Sequence, residues 1–101
     1  MGVTAPGDGG GDDRAASLPA LDYPLDYTFK IMGLAGDGFA EHARALVARV
    51  VGEVPEERVR VRESAGGRYH SVSVVARLVS EDQRREVYLS LRADARVVYY
   101  L

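Results

Sequence analysis

The chain predicts an α+β fold, a ferredoxin-like βαββαβ sandwich in which a four-stranded antiparallel sheet carries two helices on one face. Three observations lead there. Apolar residues recur with period two, then with helical spacing, then twice with period two, and the series closes with a second helical stretch and a final β-prone run. The two middle period-two stretches meet at Gly66-Gly67, a pair that supplies the positive φ angles a hairpin requires. At 101 residues there is room for one core and no more.

Each element can be justified in order. Tyr27, Phe29 and Ile31 alternate with Thr28 and Lys30 in a first strand, which Gly33 is expected to end. Asp37 is expected to cap a helix whose Phe39, Ala43, Leu46, Val47 and Val50 form one apolar stripe, with Arg44 and Arg49 outside it. Gly52 closes that helix and Pro55 keeps it from resuming. Val59 and Val61 alternate with Arg58, Arg60 and Arg62 as a second strand, and Tyr69 to Leu78 forms the third. Ser80 with Gln83 matches a capping box for a second helix, whose apolar side is Val87, Tyr88 and Leu91. Val97 to Leu101 is the last strand. Strand parity turns Phe29, Ile31, Val59, Val61, Val72, Val74, Ala76 and Leu78 toward the helices, and Lys30, Arg60, Arg62, Tyr69, Ser71, Ser73 and Arg77 toward the opposite, open face. A core this small leaves a narrow margin of stability.

Composition bounds the class. A chain that is 47% hydrophobic and 28% charged belongs with soluble globular proteins, and it has no apolar run long enough to span a bilayer. Cysteine is absent, which excludes disulfides and thiol chemistry and fits a reducing interior. The start, MGVTAPGDGGGDDR, lacks the basic and apolar stretches of a secretory signal, so the expected location is the cytoplasm. The net charge of −2 is uneven. Residues 1–22 hold Asp8, Asp12, Asp13 and Asp22 against Arg14, a net of −3, which leaves +1 for residues 23–101. The Gly- and Asp-rich segment 1–22 is read as a disordered, solvated tail and 23–101 as the domain.

The stretches Tyr23-Pro24 with Tyr27-Thr28-Phe29-Lys30-Ile31-Met32-Gly33, and Ser64-Ala65-Gly66-Gly67-Arg68-Tyr69-His70-Ser71-Val72-Ser73-Val74, resemble the two signature stretches of the YbeD-like family of small, uncharacterised bacterial proteins. The resemblance covers the whole domain. It departs at Arg68, where the family pattern implies a small polar residue. The family is similar in fold to ACT domains, the regulatory modules that sense amino acids, so the resemblance implies the same βαββαβ trace. It transfers no catalytic residue.

Candidate chemistry falls into three groups. The loop Gly33, Gly36, Asp37, Gly38 precedes a helix N-terminus, where free N–H groups and the helix dipole suit a small anionic metabolite, and ACT-like modules use the corresponding loop for ligands. An ordinary strand-to-helix turn would carry the same glycines. His42 and His70 stand apart in sequence with no evident carboxylate partner, so neither a metal site nor acid-base catalysis is expected; no cofactor is expected, and the protein is read as a non-enzyme. Lys30, Arg60, Arg62, Arg77, Tyr69 and Ser71 form a basic sheet face. RNA-recognition modules of this fold stack bases on such a face, but the strands lack the several aromatics of that signature and the domain charge is near neutral, so nucleic acid is the alternative rather than the main reading. Tyr99 lies in an apolar terminal strand that charge protects poorly, which predicts self-association or a protein partner docked through the sheet. The main reading is a non-catalytic regulatory or adaptor module.

Overall fold

The computed structural model describes residues 21–101, so the segment 1–22 read above as a tail lies outside the described residues but for its last two. The elements run β1 (Leu25–Leu34), α1 (Phe39–Val51), a 3-10 turn (Glu56–Arg58), β2 (Val59–Glu63), β3 (Tyr69–Leu78), α2 (Glu81–Ala93) and β4 (Val97–Tyr100). The strands form one antiparallel sheet in the order β2-β3-β1-β4. This is the ferredoxin-like βαββαβ arrangement. The fold places β3 and β1 at the centre and leaves β2 and β4 as edges.

The core forms where the sheet's inner face meets the helices. Phe29, Ile31, Val72, Val74, Ala76 and Leu78 pack against Phe39, Ala43, Leu46, Val47, Val87 and Leu91, with Val54 closing one side. Each is almost fully removed from water, a burial worth about 1.5–3 kcal/mol for each of the larger side chains. Val61 departs from the expected core: it is 48% exposed, and Val59 and Val50 are only partly buried. Val61 has the right parity, but at the β2 edge it is left only half covered.

Two local expectations are corrected. Gly33 does not end β1, which continues to Leu34. Its glycine answers to packing instead: a Cβ there would clash with Phe39 Cε1 and stand 2.6 Å from the Arg96 carbonyl oxygen. Asp37 does not cap α1; Gly38 holds that position with φ 65°, and Asp37 itself is left-handed at φ 51°. The β2–β3 connection turns at Gly66-Gly67 as expected. It spans residues 64–68, closed by Gly67 N–H to the Ser64 carbonyl at 2.8 Å and by Tyr69 N–H to Ser64 Oγ at 3.0 Å, with Gly66 and Gly67 both at positive φ. Elsewhere the local chemistry is as expected. Gly52 ends α1, and Ser80 Oγ accepts from the Gln83 N–H at 3.2 Å while Gln83 Oε1 accepts from the Val79 N–H at 2.8 Å.

The hydrogen-bond phase of the sheet follows from a few ladder bonds. Ser64 N–H donates to the Tyr69 carbonyl at 2.9 Å, which makes Arg62↔Ser71 and Arg60↔Ser73 the hydrogen-bonded pairs further along. Lys30 and Leu101 exchange both of their bonds, at 3.2 and 2.9 Å, which sets β4 in the same phase and extends its pairing to the last residue. Alternation then turns the backbone groups of Val59, Val61 and Glu63 out of the β2 edge and those of Tyr100 out of the β4 edge, whose register shifts at Val98, between Met32↔Tyr99 and Gly33↔Val97.

Candidate functional site

All seven side chains expected on the open face are there. Register places Lys30, Ser73 and Arg60 in one row across the sheet, and Tyr99, Met32, Ser71 and Arg62 in the next. Tyr69 pairs with Leu34 at one end, and Arg77 pairs with Asp26 at the other. The face is divided along its middle. Arg60 and Arg62 make the β2 side cationic, β3 carries the small hydroxyls Ser71 and Ser73, Lys30 stands on β1, and the β4 side is apolar, with Tyr99, Leu101 and, at the end of β1, Leu34 each more than half exposed. Asp26 sits 3.4 Å from Arg58 and 3.6 Å from Arg77, so the lower cations share one acid. Among the described residues Lys30, Arg60 and Arg62 have no carboxylate within ion-pair distance.

The Gly33–Gly38 loop is held differently. Arg96 donates from Nη2 to the carbonyls of Gly36 and Asp37, 3.1 Å each, and its guanidinium lies 5.6 Å from the centre of the Phe39 ring. Ala35 N–H reaches the Arg68 carbonyl at 2.8 Å. Gly36, Asp37 and Gly38 are exposed, whereas Gly33 is buried beneath Phe39. The nearest cation therefore binds the loop's own carbonyls, and Gly33 is separated from the other three.

Sequence reasoning missed the polar groups of the helix layer. Both histidines have carboxylate partners: His42 Nε2 lies 2.9 Å from both oxygens of Asp94, and His70 Nε2 lies 3.5 Å from Glu63. These pairs join positions 52 and 7 residues apart in the chain, and only the fold brings the first together. Burial tends to raise the Asp94 carboxyl, but hydrogen bonds from His42 and the Arg96 N–H outweigh it and hold it below the ordinary range. Arg84 is buried to 5% exposure. Its Nη2 donates to Glu81 at 2.7 Å and its guanidinium lies 5.6 Å from the centre of the Tyr27 ring. Tyr23 donates to Glu81 at 2.6 Å, and the Tyr27 and Tyr88 hydroxyls meet at 2.9 Å. Desolvation would lower the guanidinium's pKa, yet the bond to Glu81 and the contact with Tyr27 leave it raised; burial and Tyr27 raise the Tyr88 hydroxyl, and bonds from Arg84 and Tyr23 lower Glu81. The helical Glu81/Arg84 spacing and the tyrosines were visible in the sequence, but not their convergence. Among the described residues no three His, Cys, Asp or Glu side chains could hold a metal ion, and no helix is long and apolar enough to cross a membrane.

Residues 19–101 match the family model described as "Protein of unknown function (DUF493)". The chain belongs to this family. It is 35% identical to a UPF0250 protein of Ralstonia nicotianae across 85% of this chain and 92% of that one, and 31% identical to a UPF0250 protein of Azotobacter vinelandii across 84% and 94%. The expected resemblance to small, uncharacterised bacterial proteins of the YbeD type is thus shown. The solution structure of protein HP0495 from H. pylori superposes with a TM-score of 0.63, covering 93% of this chain and 98% of that one at 16% identity, a likeness of fold. The DUF493 match begins just before Tyr23, the first of the described residues with a side-chain hydrogen bond into the domain, through Glu81.

Proposed function

We propose that this DUF493 protein is a non-catalytic regulatory or adaptor module that engages a protein partner through the open face of its sheet. The observation that supports the reading is the division of that face. Lys30, Arg60 and Arg62 have no carboxylate partners among the described residues, and the β4 side of the same face carries the exposed apolar residues Tyr99 and Leu101, with Leu34 at the end of β1. A folded monomer gains nothing from apolar side chains left in water on a face that also holds unpaired cations, whereas a partner laid across the face uses both. A small anionic metabolite at Gly36, Asp37 and Gly38 is the subsidiary site in this reading, with Arg96 holding the loop's shape.

The test is affinity capture from native cytoplasm with the wild type, Tyr99→Lys, Arg60→Glu/Arg62→Glu and, on the helix side, Leu89→Glu. Partners lost with the two sheet variants and kept with Leu89→Glu support the reading; partners kept by all three variants overturn it. Tyr69 on the same face as the cations favours a second reading, an RNA- or phosphate-contacting module. Retention on a polyanion matrix that falls steeply with salt and depends on Tyr69 would favour that reading instead.

A further inference from the structure

We propose that the β2 edge accepts an added antiparallel strand from the partner, and that the strand it fits alternates acidic and apolar residues; the inference rests on the adaptor reading above. Three observations converge on this edge. The ladder phase directs the N–H and C=O groups of Val59, Val61 and Glu63 away from β3; the Val59 N–H is taken by the Glu56 carbonyl, while the groups of Val61 and Glu63 have no backbone partner among the described residues. β2 contains no proline and pairs with β3 without a register break, so nothing in its backbone blocks addition. Its side chains present two different rows: Arg60 and Arg62 on the open face, and Val61, 48% exposed, on the other.

A strand laid antiparallel to β2 sets its alternate residues opposite those rows. Residues opposite Arg60 and Arg62 occupy the closely spaced, non-hydrogen-bonded positions, where opposite charges attract and like charges repel. Residues opposite Val61 exchange the backbone bonds and cover its apolar surface. Glu63 lies on the apolar row but beside His70, at 3.5 Å, at the end of the strand. The same charge pattern excludes a second copy at this edge, because antiparallel β2–β2 pairing would oppose arginines to arginines. The β4 edge is the reverse case: Val98 and Tyr99 are exposed and uncharged, and the outward backbone groups of the regular ladder belong to Tyr100. Self-association belongs at β4 and an acidic partner strand at β2. The two edges are therefore not interchangeable.

The probe is a synthetic peptide of alternating glutamate and valine, followed by fluorescence anisotropy against the whole chain. It should bind at least tenfold more tightly than a peptide of the same composition with all glutamates preceding all valines. Arg60→Glu/Arg62→Glu should weaken it at least tenfold. Val61→Pro, which removes an outward N–H and spares the β3 ladder, should do the same with the melting temperature nearly kept. N-methylation of the peptide's valine nitrogens should abolish binding, and of its glutamate nitrogens should not. Equal binding of the block peptide, or N-methylation effects that are equal or reversed, would overturn strand addition without relying on any protein variant. If the alternating peptide does not bind while partner capture still depends on Tyr99 and Lys30, the edge inference falls and the adaptor reading stands. If neither depends on the sheet, both fall.

Discussion

Two arginine environments distinguish the two faces of this one sheet. On the helix face Arg84 is buried, bonded to Glu81 and in contact with Tyr27, and Tyr23 completes the Glu81 carboxylate. On the open face Arg60 and Arg62 stand in water beside Ser71 and Ser73 with no carboxylate partner among the described residues. The same side chain is part of a closed polar network in one place and an available donor in the other. Burying a guanidinium is tolerable only with its charge and hydrogen bonds satisfied, whereas an exposed one costs nothing and can still bind. Stability is therefore concentrated on one face, and the recognition proposed above on the other.

The largest effect that would break this contrast lies in the closed face. Phe29→Ala removes a fully buried ring that packs 5.2 Å from Tyr88, centre to centre, and should destabilise by about 3–5 kcal/mol in chemical denaturation. A loss below about 1 kcal/mol would mean that the helix face is not the core. Arg84→Ala comes next. It strips Glu81 of its cation, but that carboxylate is 38% exposed and can be hydrated, so about 2 kcal/mol is expected rather than the full cost of an orphaned buried charge. Arg84→Met keeps the stem's packing and should recover part of the loss. A larger loss for Met than for Ala would show that the network acts through something other than packing and pairing.

A smaller effect belongs to the hairpin. Nothing stands within 4 Å of a Cβ added at Gly67, so Gly67→Val tests backbone strain alone at φ 72° and should cost on the order of 1 kcal/mol. Smaller again is the acid limb of stability. The Asp94 carboxyl is held below its ordinary value, so its contribution is fully present above the unfolded carboxylate range, about pH 4, and is lost as pH falls through the folded value. Asp94→Asn should flatten that limb of the pH–stability curve. An unchanged limb would remove the His42 bond from the account.

How much of this was legible in the sequence follows the range of each interaction. Period-two and helical spacing place every strand and helix and most of the core, because alternation and the apolar stripe are local properties of the chain. The capping box at Ser80 and the positive φ of Gly66 and Gly67 are local too. Gly33 was misjudged because its reason is Phe39 and the carbonyl of Arg96, the latter sixty-three residues away. Asp37 was misjudged because a left-handed turn at Asp37 and Gly38 is an alternative route into a helix that composition does not distinguish. Val61 has the right parity, but parity does not say how much of an edge strand is covered. The open face was legible for the opposite reason. Its residues are defined by alternation alone, and register brings Lys30, Arg60 and Arg62 into neighbouring rows without further help.

The most direct test of the division between the faces measures stability and binding on one variant. Arg60→Glu/Arg62→Glu reverses the charge of the open face and touches nothing in the core. Surface changes of this kind stay within about 0.5 kcal/mol per site, so the pair shifts the melting temperature by about 4–8 °C at most in a domain this small. The account predicts a melting temperature within that range of the wild type, together with loss of the captured partner and of the alternating peptide. A melting temperature many degrees lower, with partner and peptide still bound, would contradict it and make the open-face arginines part of what holds the fold together.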